Sequence, residues 1–266
     1  WIAQHIRQLA YLTFNDFHLH LSDNQGFRIA HPSHPEIVSA DHLTLDEVRA
    51  LIALAARYHV ELVPEIDMPG HLEAALAPHP EFQLKDALGR AAAGQLDITS
   101  DAARQFAREL IEQYIGLFPG RYWHIGGDEY MPSVEHALYP SLAAYASEKY
   151  GAGATAKDAI HDFDNFTAGI VRAHGKTPRM WHDDLKGGKY VSVDPDIVVE
   201  WWTDISPLSD LPAVTPQELV DQGHRVMNAG WFPNYYTVGY THIGPLIADM
   251  QDAYENWTAD QFHGPA

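Results

Sequence analysis

The sequence predicts an α/β protein, a (β/α)8 TIM barrel represented here by its strands 2–7. Three observations predict it. Strand-like and helix-like patterns alternate six times along 266 residues, the order of a parallel βα fold. Titratable and aromatic residues collect at the carboxyl end of every strand pattern. No short-period repeat or low-complexity tract interrupts the series. The alternative on the same pattern is an open doubly wound sheet.

The elements follow in order. Residues 1–12 read as a helix with Ile2, Ile6, Leu9 and Ala10 on one face. Phe14 to Leu21 alternates as a strand. Thr44 to Val60 is amphipathic, and Thr44 with Glu47 forms a capping box. Glu61 to Ile66 is a short strand. Ser100 caps a long helix that runs to Phe118, where Pro119-Gly120 stops it. Tyr122 to Ile125 is a strand that meets Gly126-Gly127. A helix near 158–173 ends at Gly175. Arg179 to Trp181, Ile197 to Trp202 and Arg225 to Asn228 are three further strands. Thr215 with Glu218 caps a short helix between the last two, and Pro245 to Trp257 forms the final helix. The first helix has no strand before it and the last has none after it. The expectation is one catalytic domain over residues 1–266, with the outer two barrel strands outside this chain. The chain also opens at Trp1 within a helical pattern, with no initiator Met and no signal peptide, so the expectation is a fragment.

Composition narrows the function. A hydrophobic fraction of 46% supplies a core and excludes wholesale disorder. Against 36 acidic residues stand 17 basic ones, a net charge of -19, which repels phosphate backbones and argues against a nucleic-acid partner. No apolar run reaches the ~18 residues of a membrane span. Without cysteine, disulfide and thiolate chemistry are excluded.

Barrel chemistry gathers at the carboxyl ends of strands. Those ends read His18-Leu-His20-Leu-Ser-Asp23-Asn24, Pro64-Glu65-Ile-Asp67-Met-Pro69-Gly70-His71, His124-Ile-Gly126-Gly127-Asp128-Glu129, Trp181-His182-Asp183-Asp184 and Glu200-Trp201-Trp202. The sixth runs from Asn228 through Trp231 to Tyr235-Tyr236. Adjacent acids in a regular strand point to opposite faces. Asp128 and Glu129 face one site only if the backbone leaves the pleat, which Gly126-Gly127 permits. Taken alone, such a string is as readily an exposed acidic turn, and His71 after Pro69-Gly70 as readily a surface loop residue. With Asp23 and Glu129 on flanking strand ends, a carboxylate–His–carboxylate chain becomes possible, and it would tune the proton affinity of Glu129. Trp181, Trp201 and Trp202 either cap the core or stack on sugar rings, whose C–H faces suit indole.

The stretches FHLHLSDNQGFR, LVPEIDMPGH, WHIGGDE, MWHDD and IVVEWW together resemble the catalytic domain of glycoside hydrolase family 20, the β-N-acetylhexosaminidases. The spacing from Asn228 to Tyr235 is most similar to short bacterial members of the dispersin and lacto-N-biosidase type. The resemblance implies removal of β-linked N-acetylhexosamine by a substrate-assisted retaining mechanism, without a cofactor or catalytic metal. It implies that Glu129 is the general acid/base and that Asp128 polarises the substrate acetamido N–H. Tyr235 would bind the acetamido oxygen, and His71 with Asp23 would relay behind Glu129. Trp181 and Trp202 would wall the sugar, with Asp183 and Glu200 lining the pocket. Trp201 should point away from Trp202. A carbohydrate partner and a secreted or cell-surface location also follow from the resemblance.

One observation stands apart from the resemblance. The strand before Asn228-Ala229-Gly230 ends without an acid, so no carboxylate nucleophile is offered there. In the resembled family the first strand supplies an arginine and the eighth a Trp and a Glu, all outside this chain. Thr237 and Asn24 stand where Asp is common. Two other readings remain. His18-x-His20 puts two imidazoles on one strand face, as in metal-dependent amidohydrolase barrels. A non-catalytic sugar-binding pseudoenzyme would need the Trp walls but not the relay.

Overall fold

A computed structural model describes residues 1–183, 185–203, 213–235 and 250–258. Six parallel strands form the main sheet: β1 (Asp16–His20), β2 (Glu61–Met68), β3 (Tyr122–Gly126), β4 (Thr177–Trp181), β5 (Val198–Trp201) and β6 (Arg225–Asn228). Each is hydrogen-bonded to the next in chain order. A doubly wound sheet reverses its order at a switch point, so sequential order selects the barrel wall. Side chains show that the wall is curled. Arg179 Nη1 on β4 lies 3.5 Å from Asp16 Oδ2 on β1. His18 Nδ1 on β1 lies 3.9 Å from Glu200 Oε2 on β5. In a flat sheet with strands ~4.8 Å apart, these pairs would be separated by roughly 14 and 19 Å.

The helices form where the caps and apolar stripes predict. Thr44 N–H donates to Glu47 Oε2 at 2.8 Å and Glu47 N–H to Thr44 Oγ1 at 3.2 Å, closing the box before helix Leu45–Arg57. Thr215 and Glu218 repeat it before Pro216–Asp221. Ser100 caps Asp101–Ile115. Two helix ends fall short of the sequence pattern. The apolar stripe reaches Val60, but His59 takes φ 57° and turns the chain. The stripe also reaches Phe118, but the helix stops at Gly116. Ala156–Ala173 begins earlier than expected because Thr155 and Asp158 form a third box. The pattern missed helix Pro140–Tyr150, which buries only Leu142 and Ala146, and the hairpins after β1 and β2, Ser22–Asp23 with Gly26–Phe27 and Gln83–Lys85 with Ala91–Leu96. The last helix is Met250–Asn256. Its expected start at Pro245, like Thr237, Tyr236 and Asp184, lies outside the described residues.

Helices and sheet share one large core, from Ile6 through Leu62, Ile66, Leu110, Trp123 and Phe163 to Leu219. β2 is covered on both faces, so its charged residues Glu65 and Asp67 are as buried as its aliphatic ones. No helix among the described residues is long and apolar enough to cross a membrane.

Candidate active site

The site begins where β3 leaves the sheet. Gly126 and Gly127 have φ +80° and +97°, and Glu129 follows with φ 51°. A Cβ on Gly126 would stand 2.6 Å from Met68 N, so β2 and β3 approach this closely only through glycine. Gly127 N–H donates to Met68 O at 3.0 Å and fixes the exit. The break in the pleat turns both neighbouring acids one way. Asp128 Oδ2 and Glu129 Oε2 lie 3.4 and 3.2 Å from the same atom, His71 Nε2. His71 itself has φ 54°. Two contacting side chains on left-handed, non-glycine backbone mark a place where function outweighs local comfort.

Behind His71 runs a longer chain than the sequence suggests. Asp23 Oδ1 is 3.3 Å from His71 Nδ1, and its Oδ2 is 2.9 Å from His20 Nε2. His20 Nδ1 is 2.5 Å from Glu65 Oε2. Asn24 clips the hairpin in place: its Oδ1 accepts from Glu73 N–H at 3.2 Å. Burial opposes a charge on His71, but hydrogen bonds to Asp23 and Glu129 outweigh it and raise its pKa to about 11. His20 is raised to about 10, because bonds to Asp23 and Glu65 likewise outweigh burial. Burial also opposes charge on Asp23, yet its two histidine partners hold it well below the usual carboxylate range.

Asp67 and Asp128 are a facing acid pair. Burial, then the charges of Asp128 and Glu65, raises Asp67 well above its ordinary value. Both effects favour its protonated form beside Asp128. Asp128 is raised to about 6, chiefly by burial, with His71 pulling the other way. Asp128 thus sits between Asp67 and His71, which pull its pKa against burial.

Glu65 is the hub beneath the cleft. Around its buried carboxylate lie His18 Nε2 at 3.1 Å, His20 Nδ1 at 2.5 Å and His124 Nδ1 at 3.0 Å. Trp181 Nε1–H donates to its Oε1 at 2.8 Å, which orients the indole. Glu200 is buried in the same layer, accepting from Arg179 Nε–H at 2.6 Å. Asp183 is buried too, and its Oδ2 accepts from Trp202 Nε1–H at 2.6 Å. These two acids thus bind Arg179 and an aromatic wall. Trp201 is buried and donates to Val214 O at 3.1 Å, away from Trp202 as alternation requires. Tyr235 closes the set. Burial, then the charges of Glu200, Asp128, Asp183 and Glu65, raises its hydroxyl pKa, so it remains a donor.

Ligand atoms of His18, Glu65 and His124, and of Asp67, His71 and Asp128, converge within 4.8 Å. His18 and His20 do share a face, and both turn onto Glu65. The structure brings Asp23, Asp128 and Glu129 into contact with His71, and Tyr235 into the field of Asp128. Sequence reasoning assigned no role to Glu65, Asp67 or Arg179, and gave His20 and His124 one only as metal ligands in the amidohydrolase reading. The available signal was register: Glu65 and Asp67 share one face of β2, and His20, Glu65, His124 and Arg179 pair laterally across four strands.

Comparison with known proteins identifies the family. Residues 1–254 match the family model "Glycosyl hydrolase family 20, catalytic domain". A lacto-N-biosidase of Bifidobacterium bifidum is 39% identical over 188 residues, covering 71% of this chain and 16% of that protein. A β-N-acetylhexosaminidase of Cellulomonas fimi is 27% identical, covering 93% of this chain and 48% of that protein. This chain thus spans about half or less of these relatives. A mutant Streptomyces plicatus β-hexosaminidase solved with its product GlcNAc superposes with TM-score 0.68 at 27% identity, covering 96% of this chain and 50% of that one.

Proposed function

The chain belongs to glycosyl hydrolase family 20, and on that premise we propose that its cleft hydrolyses β-linked N-acetylhexosaminides with retention, using the substrate's own acetamido group as nucleophile. One observation carries the proposal: adjacent Asp128 and Glu129 are turned onto the same histidine, with the Tyr235 hydroxyl in the field of Asp128.

The chemistry follows from those positions. The Asp128 carboxylate accepts the acetamido N–H, which drives electron density to the carbonyl oxygen. Tyr235 O–H donates to that oxygen and holds it under C1. Glu129 gives its proton to the glycosidic oxygen as the C1–O bond breaks and the acetamido oxygen bonds to C1. The aglycone leaves as an alcohol and the sugar as an oxazolinium ion. Glu129, now a carboxylate 3.2 Å from the His71 imidazolium, next takes a proton from water. That water attacks C1 and reopens the ring with net retention. Trp181, held by Glu65, and Trp202, held by Asp183, flank the sugar. Substrates of this kind place the protein outside the cell or on its surface.

The test is release of nitrophenol from the nitrophenyl β-glycosides of N-acetylglucosamine and of glucose. Hydrolysis of the first alone, lost in Glu129→Gln, is expected. Equal hydrolysis of both would refute substrate assistance. Binding of N-acetylglucosamine with no turnover would favour the sugar-binding reading.

A further inference from the structure

Away from the cleft, the sequence uses one short motif twice: His34-Pro35-Glu36-Ile37 and His79-Pro80-Glu81-Phe82. The two copies fold alike. His34 has φ -131° and ψ 63°, His79 has φ -126° and ψ 60°, and the proline then opens a single 3-10 turn. Within each copy the histidine Nδ1 faces its own glutamate, at 3.0 and 3.3 Å. His31 Nδ1 accepts from His34 N–H at 3.0 Å and fixes the start of the first turn.

The turns meet at one atom. Glu36 Oε1 lies 3.0 Å from His34 Nδ1 and 2.8 Å from His79 Nε2. The other nitrogen of each ring also faces a carboxylate: His34 Nε2 is 3.0 Å from Glu109 Oε2, and His79 Nδ1 is 3.3 Å from Glu81 Oε1. Gln105 Nε2–H donates to Glu109 Oε1 at 2.8 Å and steadies it. Metal-bound histidines have this outer arrangement: the ring N–H pointing away donates to a carboxylate, which leaves the inner nitrogen its lone pair. With both rings in those tautomers, two nitrogen lone pairs and a carboxylate oxygen converge on one small volume.

We propose that His34 Nδ1, His79 Nε2 and the Glu36 carboxylate bind one divalent transition-metal ion of the zinc class, with water completing the shell. The three ligand atoms already lie within 4.8 Å of one another. Zinc bonds of ~2.0–2.1 Å imply ligand atoms about 3.3 Å apart in a tetrahedron, so the present 2.8 and 3.0 Å need open by only a few tenths of an ångström. Two imidazole nitrogens select zinc, copper or nickel over calcium and magnesium. Phe82 and Phe106 pack against the rings at centroid distances of 5.2–5.4 Å and keep the inner side apolar. On the outer side Glu36 is 39% exposed and admits the ion. The ion would bind the segment after β1 to the segment after β2, the two that carry Asp23 and His71. Its role is mechanical, and the inference does not rest on the proposed function.

The experiment adds zinc chloride to the purified, metal-stripped chain and measures bound zinc after gel filtration, affinity by calorimetry and the melting temperature. Cobalt substituted for zinc reports geometry through its visible absorption. Expected are one zinc per chain, a raised melting temperature and a tetrahedral cobalt spectrum, all lost in His34→Gln and His79→Gln. Should either variant fail to fold, the exposed outer carboxylates decide: Glu81→Gln and Glu109→Gln are each expected to weaken zinc binding about 10- to 100-fold. Absence of retained zinc overturns the proposal. So does zinc held undiminished in the histidine variants, which would place it at the His18, Glu65, His124 cluster, or an affinity unchanged in both carboxylate variants.

Discussion

Replacing Glu65 by Gln keeps the volume of the hub and removes its charge. Trp181 Nε1–H can only donate, so the amide oxygen must stay at the Oε1 position, 2.8 Å from it. The new NH2 then faces His18 Nε2 and His20 Nδ1, where a carboxylate oxygen had been. Both histidines must now offer a lone pair in place of a proton. Removing one member of a buried charged pair costs about 3–5 kcal/mol, and Glu65 is fully buried. The same change must appear in the titration of His20. Its pKa is raised to about 10 by hydrogen bonds to Asp23 and Glu65 that outweigh burial, so its stabilising contribution is full below about 6.5 and fades as pH rises through 10. Losing one of the two carboxylates is expected to lower that pKa by about 1–3 units. Imidazole Cε1–H shifts followed by NMR from pH 5 to 10.5, beside urea unfolding at pH 6, measure both effects. An unchanged His20 titration together with a stability loss under about 1 kcal/mol would show that Glu65 is not the hub described.

Glu129→Gln is expected to cut kcat by about 10²- to 10⁴-fold with little change in melting temperature, read with the nitrophenyl substrate and calorimetry. His71→Gln removes a cation whose pKa is raised to about 11 by Asp23 and Glu129 against the opposition of burial. Its stability deficit of about 1.5–3 kcal/mol should be largest below pH 6.5 and vanish towards pH 11 in denaturant titrations. For Asp128, burial raises the pKa to about 6, so its carboxylate costs stability that is absent below about pH 3.8 and complete above 6. Asp128→Asn should therefore melt higher than wild type at pH 7, by at most about 3 kcal/mol at about 1.4 kcal/mol per unit, while losing turnover; a lower melting point at pH 7 would contradict the acid pair. Gly126→Ala places a Cβ 2.6 Å from Met68 N at φ +80°. Backbone strain alone costs about 1–3 kcal/mol, and the β2–β3 contact must open as well, so soluble yield and melting temperature should both fall.

The strand order was legible because strand-like and helix-like patterns alternate, with caps at Thr44, Ser100 and Thr215 marking three of the helices. The catalytic pair was legible for a local reason: Gly126-Gly127 stands directly before Asp128-Glu129. Trp201 could be separated from Trp202 by alternation alone. Glu65 could not be recognised as a hub from local pattern, since its partners lie on the neighbouring strands β1 and β3 and on β4 two strands away, and only strand register brings them together. Asp67 looked like one more strand-end acid, and only its burial beside Asp128 and Glu65 sets it apart by raising its pKa. The helix Pro140–Tyr150 escaped because two buried residues make too thin a stripe. Three of the four hairpin strands are only two or three residues long, too short for alternation to speak, and the six-residue Ala91–Leu96 has no apolar–polar alternation to read.

Strictly sequential pairing of the six strands also sets a timetable for synthesis. A chain made from its amino end can add each strand to the edge left by the one before, so no strand waits for a distant partner to pair its backbone. Side chains are less fortunate. Glu65 leaves the ribosome 116 residues before Trp181, the donor that completes its coordination. At about 5–20 residues per second, that is roughly 6–23 s during which a carboxylate destined for the interior lacks one of its partners. The nascent wall should therefore stay loose at its centre until β4 docks, and slowing translation between codons 65 and 181 would lengthen the exposure of that open edge.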